Sequence, residues 1–111
     1  MNKKQTDVLA VLDASIKHWE REPDWKDGEN CGHSSEPLCV AFSTLPHDCG
    51  ECPLYAYQGV RCATKGTPWT QYQRMSMKGL KITASLVAES MVNRLYLARA
   101  RYLKNLDEAH D

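Results

Sequence analysis

All five cysteines of this 111-residue chain lie within residues 23–67, a stretch that also holds four of the five prolines and five of the six glycines. Such a stretch shows no sustained hydrophobic periodicity and cannot bury enough apolar surface to order itself, so it needs a staple. Disulfides fit poorly, because an odd number of cysteines leaves one thiol over. The first twenty residues also contain Lys3, Lys4, Asp7, Asp13 and Lys17, which leaves no apolar core for a secretory signal. With no run of about 18 apolar residues to span a bilayer, the expectation is a cytoplasmic protein with no membrane partner. In a reducing compartment clustered cysteines favour metal ligation.

The spacing then suggests which thiols converge. In Cys49-Gly50-Glu51-Cys52-Pro53 two thiolates three residues apart, around a glycine-containing turn, supply half of a tetrahedral zinc site. Cys39 lies ten residues before Cys49 and Cys62 ten residues after Cys52, each able to return through a short loop. Cys39, Cys49, Cys52 and Cys62 are therefore the expected ligands of one structural zinc ion, with Cys31 and His33 in reserve. Four thiolates would close the coordination shell, which argues against catalysis at the metal. An iron–sulfur cluster, a redox pair and a buried, unreactive cysteine at position 39 remain competing readings. A thioredoxin-type pair is disfavoured because Cys49 follows Thr44-Leu45-Pro46-His47-Asp48, a turn, and not a buried strand. The zinc-deaminase pattern fails as well, since His33 and Glu36 are three apart and Asp48, not proline, precedes Cys49.

On either side the pattern turns helical. Val8, Leu12, Ile16 and Trp19 recur at spacings of three and four, predicting a helix over 6–22 with Thr6 as its N-cap and Pro23 ending it. Thr67-Pro68 marks a second helix start. From there a helical segment over 68–106, with a break at Gly79, carries Leu80, Ala84, Val87, Met91, Leu95, Ala98, Tyr102 and Leu106 on one face. The chain thus reads as one mainly α domain over 1–111, with a zinc-stapled segment over 23–67 holding at most short strands. Leu38–Leu45 is the candidate strand. The long helix outreaches the first one, so part of its stripe must meet the cysteine segment, a second copy or a partner.

The net charge of zero argues against a generic polyanion binder. Its distribution is uneven, with five basic and ten acidic residues over 1–60 against nine basic and one acidic over 61–104. In helical projection the cations border the apolar stripe in place of forming one basic face. Asp13 and Glu20 flank the stripe of the first helix in a complementary way, which predicts helix–helix contact with charges beside the seam. Trp19 is expected in the core with His18 near its edge, and Trp69 packed over the metal loop.

Ser15-Ile16-Lys17-His18-Trp19-Glu20, Pro37-Leu38-Cys39, Cys49-x-x-Cys52-Pro53, Cys62 and Gly66-Thr67-Pro68-Trp69, taken in order, resemble a set of small cysteine-rich proteins encoded by tailed bacteriophages, mostly recorded as hypothetical. The resemblance spans roughly residues 8–72. Those proteins commonly carry a tight Cys-x-x-Cys where this chain separates Cys31 from Cys39 by seven residues, so that His33–Glu36 reads as an insertion between Gly32 and Pro37. The resemblance implies metal binding and an accessory role in the cytoplasm of a bacterial host.

No nucleophile, base and orienting group can be assembled from the sequence, so no enzymatic activity is expected. The leading functional expectation is a zinc-binding accessory protein acting by protein–protein interaction, or through a homo-oligomer, to modulate host machinery or defence. Leu95, Tyr102, Arg94, Arg99 and Arg101 of the long helix are its expected contacts. The alternative is a nucleic-acid-binding module using Lys81, Arg94, Arg99 and Arg101.

Overall fold

The computed structural model describes residues 2–22, 36–42, 52–60 and 65–109, and those residues form five helices and no strand. They are α1 (Lys3–Glu20), α2 (Pro37–Phe42), α3 (Pro53–Gln58), α4 (Pro68–Met77) and α5 (Lys81–Ala109). The molecule is elongated, 49 × 26 × 26 Å. Its long dimension follows α5, whose 29 residues extend about 44 Å at 1.5 Å per residue.

Helix α1 begins four residues earlier than the Thr6 cap expected from sequence. Asn2 takes that role in a reciprocal capping box: its side chain accepts from the Gln5 N–H at 2.9 Å, and the Gln5 side chain accepts from the Asn2 N–H at 2.9 Å. Two amides that no helical carbonyl can reach are thereby satisfied. The Thr6 hydroxyl instead donates to the Asn2 carbonyl, 3.1 Å away. The helix closes at Glu20, with Arg21 as C-cap, two residues short of the expected end.

The expected strand at Leu38–Leu45 is corrected where it can be seen: residues 38–42 lie in α2, and 43–45 fall outside the described residues. Proline explains much of what the sequence reading missed. Pro37, Pro53 and Pro68 each occupy the first helical position, where the missing N–H costs no hydrogen bond and the fixed φ favours the turn. Only the last of these was taken as a helix start from sequence. At Pro68 the buried Thr67 accepts from the Thr70 N–H at 3.3 Å, as expected.

The expected break at Gly79 divides the C-terminal segment into two helices. The Gly79 N–H donates to the Ser76 carbonyl and the Leu80 N–H to the Met75 carbonyl, each at 3.0 Å. This pair of bonds is a Schellman motif. It needs a left-handed residue after the C-cap, and Gly79 supplies φ +73°. The Leu80 carbonyl then accepts the first bond of α5, from the Ala84 N–H at 2.9 Å.

Helix α5 is the element that α1, α3 and α4 all pack against, while α2 packs on α1. Its Ala84, Ala88, Met91, Leu95 and Ala98 are buried, with Val87, Tyr102 and Leu103 partly covered. The three alanines leave room for close backbone approach, and Met91 and Leu95 fill the seam between them. Val8, Leu9, Leu12, Ile16 and Trp19 of α1 face them, and Leu38, Leu54, Trp69 and Tyr72 bring in the other helices. Trp19 meets Tyr72 edge-to-face, with ring centroids 5.2 Å apart and planes at 88°. That geometry suits the ring quadrupoles and ties the end of α1 to α4.

Replacing Gly79 by alanine puts a Cβ into a left-handed conformation without any clash, since nothing lies within 4 Å of the added atom. The expected result is a loss of about 1 kcal/mol, seen as a lower urea midpoint with an unchanged slope.

Candidate functional site

Three features of the described residues bear on function: the anchorage of the cysteine segment, the placement of two of its cysteines, and the charges along α5.

The anchorage is polar and buried. Glu36, immediately before α2, is 2% exposed. One oxygen of its carboxylate accepts from the hydroxyl of Ser15 on α1, and the other accepts from the Cys39 N–H at 3.0 Å. Its backbone carbonyl accepts from the Val40 N–H at 3.0 Å, so Glu36 caps α2 with both main chain and side chain. A carboxylate removed from water is tolerable only when donors replace that water. Here one donor is local, the Cys39 N–H, and the other, the Ser15 hydroxyl, comes from another helix. The sequence pattern places Glu36 in an insertion and in a failed zinc-deaminase match; the signal that marks its capping role is an acid directly before a helix-starting proline.

Of the expected zinc ligands, Cys39 sits part-buried in the first turn of α2 and Cys52 is buried at the N-cap of α3. Cys52 belongs to the same apolar cluster as Trp19, Leu54 and Trp69. Cys49, Cys62, Cys31 and His33 lie outside the described residues. Among the described residues no three His, Cys, Asp or Glu side chains gather as a metal site requires. Two thiols supply at most half of the four donors that a structural zinc site takes. His18 is 2% exposed, deeper than its expected place at the core edge, and lies against Trp19 with ring centroids 6.1 Å apart.

The residues expected to meet a partner are turned largely inward. Leu95 is fully buried and holds the core together, so its side chain faces the chain's own helices. Arg99 donates through Nε to Asp13 of α1 at 2.8 Å, as the flanking-charge pattern predicted. Both groups are partly exposed, so this pair is worth no more than about 1 kcal/mol. Arg94 donates to the Gln58 side chain of α3 at 3.0 Å, and Ser85 donates to Glu22 at 3.3 Å. The order Asp13 to Arg99 and Glu22 to Ser85 shows α1 running antiparallel to α5. Tyr102 is half-buried, and burial raises its phenol above the usual value of 10.0. Arg101 is exposed, as are Leu86, Tyr96 and Leu97 on the face of α5 that points away from the core.

A shallow depression of about 380 Å³ opens beside the start of α1, walled by Val8, Val11, Ala41 and Phe42 with Lys3 and Lys4 at its rim. A second, of about 390 Å³, shares Lys4, Val8 and Phe42 and adds Tyr102. Asp7 also lines the first of them. No helix among the described residues is long and apolar enough to cross a membrane. Compared with protein-family models, curated proteins and solved structures, the chain matches none.

Removing the Ser15 hydroxyl leaves one oxygen of a buried carboxylate without its donor. Ser15→Ala is expected to cost about 1–3 kcal/mol of stability, and distinctly less when made in a Glu36→Gln background; a double-mutant cycle by chemical denaturation reads the difference. For Tyr102 the folded state holds its proton to higher pH than the unfolded chain does. Its contribution is therefore intact below about pH 10 and declines as pH rises above that value, because the unfolded chain ionises first. Phenolate absorbance should show one tyrosine titrating later in the folded wild type than in the unfolded chain.

Proposed function

We propose that this chain is a small, helical, zinc-stapled accessory protein of the phage type that acts by protein–protein interaction in the cytoplasm of a bacterial host. The observation that carries this reading is the division of labour on α5. Its inner face and flanking cations are used within the chain, through Leu95, the Arg99–Asp13 pair and the Arg94–Gln58 bond. Its outer face leaves Leu86, Tyr96 and Leu97 more than half exposed. Exposed aromatic and aliphatic side chains beside an arginine such as Arg101 are the composition of contact surfaces, and truncating such anchors has large effects. The contact residues are accordingly proposed as Tyr96, Leu97 and Arg101, with Tyr102 at the edge, in place of the buried Leu95.

The nucleic-acid alternative is weakened by the same geometry. Of Lys81, Arg94, Arg99 and Arg101, the two middle guanidiniums are already bonded to Gln58 and Asp13. A polyanion would have to compete for them.

The zinc proposal rests on the Cys49-x-x-Cys52 spacing and on the buried position of Cys52 at the head of α3. The ion would close the loops between α1, α2, α3 and α4, adding binding energy directly to folding. The proposed ligands are Cys39, Cys49, Cys52 and Cys62, with Cys31 and His33 as substitutes.

Native mass spectrometry before and after chelation should give one zinc per chain and the number of chains per particle. Bound iron with sulfide, or thiols without metal, would overturn the staple. In pull-downs from bacterial lysate, Tyr96→Asp and Leu97→Asp should each abolish capture of a specific partner while leaving the melting temperature within a few degrees of wild type. Capture that survives both substitutions would remove the outer face of α5 from the reading.

A further inference from the structure

The closed end of the hairpin formed by α4 and α5 carries features that the proposed protein-binding face does not use. Met77 is the last residue of α4, Leu80 precedes α5, and Ile82 is the second residue of α5. Met77 is 88% exposed and Ile82 82%, with Leu80 about half exposed. The Schellman turn at Gly79 holds this end rigidly by main-chain bonds, so the exposure belongs to a fixed shape. Scattered exposed apolar residues are ordinary, but three within six positions at one tip form a patch.

Among the described residues of the α4–α5 turn the charges have one sign. Arg74, Lys78 and Lys81 are all exposed, and residues 52–88 contain no aspartate or glutamate. Among the described residues, Glu22 accepts from Ser85 at 3.3 Å and Glu89 lies two turns along α5.

We propose that this tip docks onto an anionic lipid surface, with Met77, Leu80 and Ile82 entering the headgroup–acyl boundary and Lys78, Lys81 and Arg74 lying among the phosphates. Two arguments favour a bilayer over a protein groove. Met77 and Ile82 are exposed over most of their surface, a form that a fluid interface accepts without a matching pocket. The cations sit between and beside the apolar groups, where long stems can lie along the interface while the charged heads reach phosphate. Neither signal suffices alone, since a few apolar side chains or a few lysines bind reversibly and weakly; together they reinforce each other. The contact is peripheral, in keeping with the lack of a spanning helix among the described residues. It is independent of the Tyr96 and Leu97 face.

The test is flotation of the full-length protein with vesicles of phosphatidylcholine, alone or mixed in equal parts with phosphatidylglycerol. Binding is expected only with the anionic lipid, falling with added salt. Each of Lys78→Glu and Lys81→Glu should weaken it at least about five-fold, Ile82→Asp at least as much, and Leu97→Asp not at all, with circular dichroism confirming that every variant is folded. Absence of binding to the anionic vesicles, equal binding to both lipids, indifference to Ile82→Asp, or equal loss in Leu97→Asp would each overturn the proposal.

Discussion

The apolar stripe of α5 is the constraint on which the rest of the structure depends. A helix of 29 residues with Ala84, Ala88, Met91, Leu95 and Ala98 on one side has no reason to stay straight and solvated alone, since most helical stability in proteins comes from packing an amphipathic face. Helix α1, 18 residues long, covers only part of that length. The remainder is covered by α3 and α4, short helices from either side of the cysteine segment's end. Within the described residues the chain therefore buries its own seam, and the need for a second copy to cover the inner face disappears.

The polar bond between Ser15 and Glu36 complements that apolar frame. Helix α2 has only six residues and one buried apolar side chain, Leu38, too little to dock by hydrophobic burial alone. The carboxylate of Glu36 caps α2 and holds Ser15 in the same geometry, so forming the helix and docking it are one event. Cys39 is carried along in the first turn of α2. Cys52 is fixed separately, where the aromatic side of the core meets α3. Among the described residues α2 packs on α1 and α3 on α5.

Charge in this protein is organised by position more than by amount. Helix α1, with equal numbers of basic and acidic side chains, and the more basic α5 meet through Arg99 and Asp13 along the flank of their seam, and Arg94 is held by Gln58. What remains exposed is separated in space: aromatic and aliphatic groups with Arg101 midway along α5, and a purely cationic apolar tip at the α4–α5 turn. That segregation is what lets two surfaces on one long helix be distinguished by substitution.

The helical character, the break at Gly79 and the buried stripes of α1 and α5 were legible because they follow from local chemistry: spacing of apolar residues, a glycine able to adopt positive φ, and a threonine before a proline. The extra helices at Pro37 and Pro53 were equally local and were missed because the cysteines and glycines around them read as irregular chain. The start of α1 was misplaced since Asn2 and Gln5 form a capping box that apolar periodicity does not register. What only the tertiary structure decided is which side chains face one another. Periodicity places Leu95 and Tyr102 on one stripe, yet it cannot say that α1, α3 and α4 fill that stripe from within the chain. It also cannot pair Glu36 with Ser15, 21 positions apart, or Arg99 with Asp13, 86 apart. A helix's pattern records that one face avoids water; the partner that covers the face is set by how several helices share one core.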